Sequence, residues 1–333
     1  MRAMVIDGFG GADLLRIADI SKPVPSAGEV LVRVACAGVN PADWKTRNGM
    51  LSKYIDYHFP FVLGFDLSGI VDAVGPGVTQ FAPGDRVFGT SMQGAGKNGS
   101  YAEYALADPA MLQPLPANLS FAQAAALPVA GDTAYGAIVD VGTVQAGQKV
   151  LINGGAGGVG SIGTQIAHAL GAHVAVTCSP PNNDYVRMLG AEAAFDYHDG
   201  TESLVAQVRE WAPGGVDLVI DAVGMGSLSS NAHRLVREGG IYVEIETLFA
   251  EASDTAKAQA AEHGVRLVSN MIAISRLPDH LRGVASMAAS DAIRIEELSI
   301  LPLEQAGDAH LQLESGHVRG KIVLDVSAGD MLT

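Results

Sequence analysis

"LINGGAGGVGSIGTQIAHALGAHVAVTCS", residues 151–179, decides the fold. An apolar run is followed by seven residues of which five are glycine, then by a helical pattern and a second apolar run. Strand, tight connection, amphipathic helix and strand form the βαβ unit of a parallel sheet. "GAGGVG" (155–160) satisfies G-x-G-x-x-G through Gly155, Gly157 and Gly160, with a further glycine at Gly158. In a chain with 40 glycines that pattern alone is weak, and its place between a strand and a helix is what gives it weight. Gly155 is predicted to let the backbone turn sharply. Gly157 and Gly158 leave no side chain between the backbone and an approaching pyrophosphate, and Gly160 lets the helix pack close to the sheet. The free N–H groups of the first helical turn, Val159 included, then face the anion together with the positive end of the helix. The alternative is a tight strand-to-helix connection with no ligand.

Outward from this unit the alternation continues. Strands are predicted at 149–153, 173–178, 193–197, 216–221, 240–245 and 264–269, and helices at about 158–170, 182–189, 201–210, 227–237 and 252–262. Apolar strands separated by short helices imply an α/β fold with a doubly wound parallel sheet, and six of them match a whole dinucleotide-binding domain. Residues 1 to about 120 read differently, as short apolar runs broken by Gly and Pro, with alternation in "EVLVRVACAGV" (29–39) and "GIVDAV" (69–74). Ser120 and Gln123 form a capping box ahead of an alanine-rich helix. The tail "GHVRGKIVLDV" (316–326) has no sheet partner nearby in sequence and is expected to fold back onto the first domain.

A chain of 333 residues is expected to form two domains. A net charge of −15 argues against nucleic acid or an anionic membrane as the main partner, so an anionic ligand must be held by local donors. Cys36 and Cys178, the only cysteines, read as buried small hydrophobes. The start "MRAMVIDGFGG" lacks the apolar core of a secretory signal, and no run reaches the length of a membrane span, so a cytoplasmic location is expected.

The end of the second strand bears on which dinucleotide is bound. NAD-specific sites carry an acid there for the ribose 2′-hydroxyl. Val176, Thr177, Cys178 and Ser179 include none, which favours NADP. Ser179, Asn182 and Asn183 can donate to a 2′-phosphate, Arg187 lies one turn on, and Asp184 counts against the reading.

The chain resembles the medium-chain dehydrogenases/reductases, and within them the zinc-free quinone oxidoreductase, zeta-crystallin-like branch. The resemblance spans nearly the whole chain and is carried by "AGVNPADWKTRNG" (37–49), "PFVLGFDLSGIVDAVGPGVTQFAPGDRVFG" (60–89), "ALPVAGDTAYGAI" (126–138), the glycine turn, "DLVIDAVG" (217–224) and "HVRGKIVLDV" (317–326). It implies a GroES-like β-domain from residues 1–122 and 272–333, a Rossmann domain over 123–271, and an active site in the cleft. It also implies a homodimer formed through the edge strand near 264–269. Relatives that bind catalytic zinc have a cysteine at Asn40, a His-Glu pair at Phe65-Asp66 and a third ligand near Val129. The residues here cannot build that site, and "SMQGAGKNGS" (91–100) replaces the structural-zinc lobe. No metal is therefore expected.

What remains is hydride donation from NADPH to an acceptor that is already electrophilic, a quinone or a conjugated carbonyl. The resemblance implies Asn40 as a polar contact in the cleft and Asp43 as a structural or ribose contact. Lys45 stands where relatives keep a proton-relay histidine and reads either as a donor to an oxyanion or as a solvated surface lysine. Tyr54 and Tyr57 belong to a segment that lines the substrate pocket in relatives, although Met50 and Leu51 replace a tyrosine common in the quinone branch. Thr133 is expected to reach the nicotinamide, Tyr197 the adenosine phosphate, Val223 and Gly224 the adenosine, and Asn270 the nicotinamide amide. Asp221 reads as a turn cap rather than a catalyst. Lys321, with Arg319, either approaches the cofactor phosphates or solvates a strand edge. Two other readings stay open: an enoyl or 2-alkenal reductase on the same scaffold, and a non-catalytic nucleotide-binding protein.

Overall fold

In a computed structural model, residues 1–224, 228–245, 252–269 and 276–329 are described. The chain divides into two compact units, one made of Met1–Ala130 with Leu281–Thr333 and the other of Gly131–His280.

The first unit opens with β1 (Arg2–Ile6), β2 (Arg16–Asp19) and β3 (Val30–Val39). There follow α1 (Pro41–Arg47), β4 (Phe61–Val62), β5 (Asp66–Val74), β6 (Arg86–Thr90), β7 (Tyr104–Ala107), β8 (Leu112–Pro114) and α2 (Phe121–Ala125). β2-β1-β4 form a small antiparallel sheet. β3 alternates in sequence yet is buried on both faces, because it is central to the larger sheet and pairs with β5 and β7. α2 is capped by Ser120 and Gln123 as predicted, and its Phe121, Ala122 and Ala125 pack onto Ala35 and Cys36 of β3.

The second unit begins inside α3 (Pro128–Tyr135) and continues with β9 (Lys149–Asn153), α4 (Gly158–Ala169), β10 (His173–Thr177), α5 (Asn183–Met188) and β11 (Ala193–Phe195). It is completed by α6 (Thr201–Trp211), β12 (Val216–Asp221), α7 (Ala232–Leu235), β13 (Val236–Glu244), α8 (Asp254–Glu262) and β14 (Arg266–Ser269). The six strands form one parallel sheet in the order β11-β10-β9-β12-β13-β14, the doubly wound arrangement. Leu151, Val219 and Tyr242 of the sheet pack with Leu204 and Val208 of α6 in one core.

One predicted helix is corrected. The helix expected over 227–237 is reduced to α7, because β13 starts at Val236 and runs through Gly239, whose φ of 75° and a register shift beside Leu218 let the strand bulge. The chain leaves the second unit through α9 (Leu277–Ala289) and adds β15 (Leu298–Pro302), α10 (Ala306–Glu314) and β16 (Lys321–Asp325) to the first. β16 pairs antiparallel with β3, so the tail does return to the first unit.

Candidate active site

The glycine turn joins β9 to α4. Left-handed backbone falls on Gly154, at φ 83°, so the sharp turn expected at Gly155 is made one residue earlier. Gly155 is needed for a different reason, since a Cβ there would stand 2.4 Å from the Cβ of Val176 on β10. At Gly160 a Cβ would lie 2.1 Å from the carbonyl oxygen of Gly154. Gly157 differs, because the nearest atom to its Cβ would be 3.6 Å away, an ordinary contact. The packing of the chain thus accounts for bare backbone at Gly155 and Gly160 but not at Gly157. Gly157 is also the N-cap of α4 and has no side chain to engage the first-turn amides. The N–H groups of Gly158, Val159 and Gly160 lack an intrahelical carbonyl. With the helix dipole they form an anion cradle whose chemistry suits a phosphate group.

Beyond β10 the chain gathers Ser179, Asn182 and Asn183 into one turn. Ser179 Oγ accepts from Asn182 Nδ2 at 3.0 Å, and Asn183 Oδ1 accepts from Cys178 Sγ at 3.4 Å. Arg187 is not turned toward them, since its guanidinium donates to the Glu192 carbonyl at 3.0 Å. Tyr197 and Val223 are 45% and 50% exposed, Thr133 is half-buried on α3, and Asn270 lies outside the described residues.

In the first unit, α1 carries Asn40 at its N-cap and buries four polar side chains, Asp43, Lys45, Thr46 and Arg47. Asp43 accepts from the backbone N–H of Asn40 at 2.7 Å, from that of Phe65 at 3.1 Å and from the Tyr101 hydroxyl at 3.3 Å. Asn40 donates through Nδ2 to Asp66 at 2.8 Å and accepts from Lys321 Nζ, so its amide is engaged at both ends. Asp66 also accepts from the Val129 N–H at 2.9 Å. Burial pushes the Asp43 carboxyl up to about 7 and that of Asp66 up to about 6, the latter against the pull of the Lys321 ammonium. The same desolvation pulls the Lys321 ammonium down.

A second branch has only one possible direction. Arg47 has donors alone, so Nδ1 of His310, 3.1 Å from it, accepts. Nε2–H of His310 then points to the Tyr101 oxygen at 3.2 Å, and the Tyr101 proton goes to Asp43. Burial and the neighbouring guanidinium push His310 down to about 3, which keeps it neutral. Arg47 finds its counter-charge in Glu314 of α10 at 2.7 Å.

Two expectations change, those for Lys45 and Lys321, and Tyr54 and Tyr57 find their places. Lys45 is not a solvated surface lysine, since it is buried on α1 with its ammonium 5.3 Å from the Trp44 ring centre, and desolvation lowers it to about 8. Lys321 neither meets phosphates nor solvates an edge, because its ammonium is held inside the first unit by Asn40, the Val39 carbonyl and Asp66. Tyr57 belongs to an aromatic cluster with Phe9, Phe59 and Phe61, while Tyr54 is 63% exposed.

Comparison with known proteins decides the family. Residues 26–117 match the family model "Alcohol dehydrogenase GroES-like domain" and residues 189–324 match "Zinc-binding dehydrogenase". The quinone oxidoreductase of Lama guanicoe is 32% identical over 97% of this chain and 97% of its own length. The chain belongs to the quinone oxidoreductase branch of the medium-chain dehydrogenases/reductases. The chloroplastic NADPH-dependent alkenal/one oxidoreductase of Arabidopsis thaliana is 33% identical over 97% of this chain and 79% of its own. A mycobacterial protein solved in complex with NADPH superposes with a TM-score of 0.86 at 30% identity, covering 97% of this chain and 99% of its own. This medium-chain dehydrogenase/reductase is an oxidoreductase of the quinone-oxidoreductase-like type.

One family description carries zinc, but the donor set of this member does not suit it. Asn40, Asp66 and Val129 do meet, through the carboxylate of Asp66, with the Lys321 ammonium 3.9 Å from it. An amide N–H, a backbone N–H and an ammonium compete for the carboxylate a metal would need. Among the described residues, no three of His, Cys, Asp and Glu could hold an ion. Gly154, Asp66, Tyr101, His310 and Arg47 were not singled out by the sequence as site residues. The doubled glycine at 154–155 is the one local signal for any of them.

Proposed function

We propose that this oxidoreductase uses NADPH to reduce a quinone or another conjugated carbonyl. The observation that carries the reading is the glycine turn, where packing requires the outer glycines while the middle one would accept a Cβ at an ordinary 3.6 Å contact. The absence of a carboxylate at the end of β10, with Ser179, Asn182 and Asn183 in its place, favours a 2′-phosphate and hence NADP over NAD. The bound nicotinamide supplies the hydride. The residues of this chain hold the pyrophosphate at the amides of Gly158, Val159 and Gly160, and Tyr197, Val223 and Thr133 are proposed to line the rest of the dinucleotide. Lys45 is proposed to donate to the oxygen that gains charge, a role suited to a buried ammonium lowered to about 8. Asn40 and Asp43 act behind it by fixing the start of α1. No metal takes part in this reading.

The relative named for alkenal and enone reduction supports the neighbouring reading, in which an α,β-unsaturated carbonyl is the preferred acceptor. A panel of quinones and enones with NADPH and with NADH, followed at the nicotinamide absorbance, tests both. Consumption of NADPH in preference to NADH, with either acceptor class and no added metal, is expected. Calorimetry showing no NADPH uptake, or turnover that depends on added zinc, overturns the proposal. We further propose a cytoplasmic homodimer assembled through β14, an edge strand whose exposed backbone needs a partner. A monomeric mass by light scattering removes the dimer.

A further inference from the structure

The carboxyl ends of four adjacent strands of the parallel sheet, β10, β9, β12 and β13, are joined by one hydrogen-bond chain. The Gly154 N–H donates to Thr177 Oγ1 at 2.9 Å. With its oxygen so occupied, the Thr177 hydroxyl donates to Asn153 Oδ1 at 2.6 Å. This sets the orientation of the Asn153 amide, whose Nδ2 donates to Asp221 Oδ1 at 2.8 Å. From the other side the Tyr242 hydroxyl donates to Asp221 Oδ2 at 2.6 Å. Asp221 also accepts from the backbone N–H groups of Val223 at 3.2 Å and Gly224 at 3.1 Å. Thr177, Asn153, Asp221 and Tyr242 are all buried, at 1%, 5%, 0% and 0% exposure, so each bond is made away from water and each is costly to lose.

The place of this chain in the sheet gives it a purpose. β9 and β12 are neighbours across the point where the strand order reverses, and in register Asp221 lies opposite Asn153. In open α/β sheets that point opens the crevice in which a ligand binds. The two turns that flank it are the glycine turn after β9 and the Ala222–Gly224 segment after β12. The first hangs from Thr177 through Gly154 and the second from Asp221 through Val223 and Gly224.

We propose that Thr177, Asn153, Asp221 and Tyr242 are positioning residues that set the distance between the two nucleotide-binding turns, and so the affinity for the dinucleotide rather than the chemical step. The inference rests on the NADPH reading above. All four side chains are buried, so their effect on the ligand passes through the turns they hold. They act through the backbone amides of the two turns, which is why the sequence places Asp221 as a turn cap and gives Thr177 no role beyond the lack of an acid at the end of β10.

Thr177→Val keeps the shape and removes the hydroxyl, and with it the acceptor of the Gly154 N–H and a donor to Asn153 Oδ1. Thr177→Ser keeps the hydroxyl. NADPH affinity by calorimetry, with kcat and acceptor KM at saturating NADPH, separates the outcomes. The expected result is about a tenfold loss of NADPH affinity in Thr177→Val, scaled to one buried hydrogen-bond pair. kcat and acceptor KM should stay within about twofold, and Thr177→Ser should return to within about threefold of the parent affinity. Tyr242→Phe, which removes one donor to Asp221, is expected to cost about threefold. If Thr177→Val fails to fold, Thr177→Ser with near-parent affinity and Tyr242→Phe with reduced affinity together support the proposal. Parent affinity in Tyr242→Phe then overturns it. Unchanged affinity in a folded Thr177→Val, or equal losses in affinity, kcat and acceptor KM, also overturns it. A parent protein that takes up no NADPH overturns the functional reading first and this inference with it. Normal uptake by the parent and by Thr177→Val overturns the inference alone.

Discussion

Each unit is braced by a buried polar network, and the two are built from different chemistry. Under α1 the first unit uses charge: Asp43, Asp66, Lys321 and Arg47 are all buried, and the carboxyls of Asp43 and Asp66 are pushed up toward neutrality. Beneath the glycine turn the second unit uses an amide and a phenol that donate to one carboxylate, with a hydroxyl donating to the amide from behind. A charged network is held by mutual compensation, so removing one member strands the rest. A network of neutral donors fails one bond at a time. The largest expected effect follows from this contrast. Lys321→Met leaves Asp66 and Asp43 buried without their cation and should cost about 3–5 kcal/mol in urea unfolding. Adding Asp66→Asn to it should recover a large part of that loss, because the stranded charge goes with it. A cost below about 1 kcal/mol in the single variant would erase the distinction between the two units.

The second unit is better probed through its backbone. Gly160→Ala drives a Cβ to 2.1 Å from the Gly154 carbonyl and should destabilise by about 1–3 kcal/mol, as overpacking does. Gly157→Ala meets nothing closer than 3.6 Å, and its φ of −78° suits an L-residue, so thermal stability should be unchanged. NADPH affinity should nevertheless fall about tenfold, because the methyl occupies the approach of the pyrophosphate. Equal stability losses in the two variants would show that Gly157, like Gly160, serves packing.

The contrast also explains what could be read from the sequence. The parallel sheet was legible because apolar runs and helices alternate locally from Lys149 to Ser269, and the return of Lys321–Asp325 was legible as an apolar run without a local partner. Gly155 and Gly160 were legible as glycines, but the left-handed turn at Gly154 depends on how the strand ends, which composition does not show. The charged network was hidden because its contacts are remote. Arg47 meets His310 across 263 positions and Lys321 meets Asn40 across 281. α1 misled further. A seven-residue helix that buries Asp43, Lys45, Thr46 and Arg47 shows no apolar stripe, so nothing in its pattern marks these polar residues as buried.

Lys45 provides the finest test of the charged unit, and the smallest effect at neutral pH. Burial lowers its ammonium from the ordinary 10.5 to about 8, so between those values the folded chain holds fewer protons on this group than the unfolded chain does. Its contribution to stability therefore rises as pH climbs through that window. Activity should move the other way. If the ammonium donates to the oxygen that gains charge, kcat falls about tenfold for each pH unit above about 8. Lys45→Met should flatten both curves and lower kcat below pH 8. Parallel pH profiles of kcat and thermal stability for the two proteins check this. A kcat that stays level above pH 8 in the parent assigns Lys45 to packing against Trp44 and takes the proton-donor role away from α1.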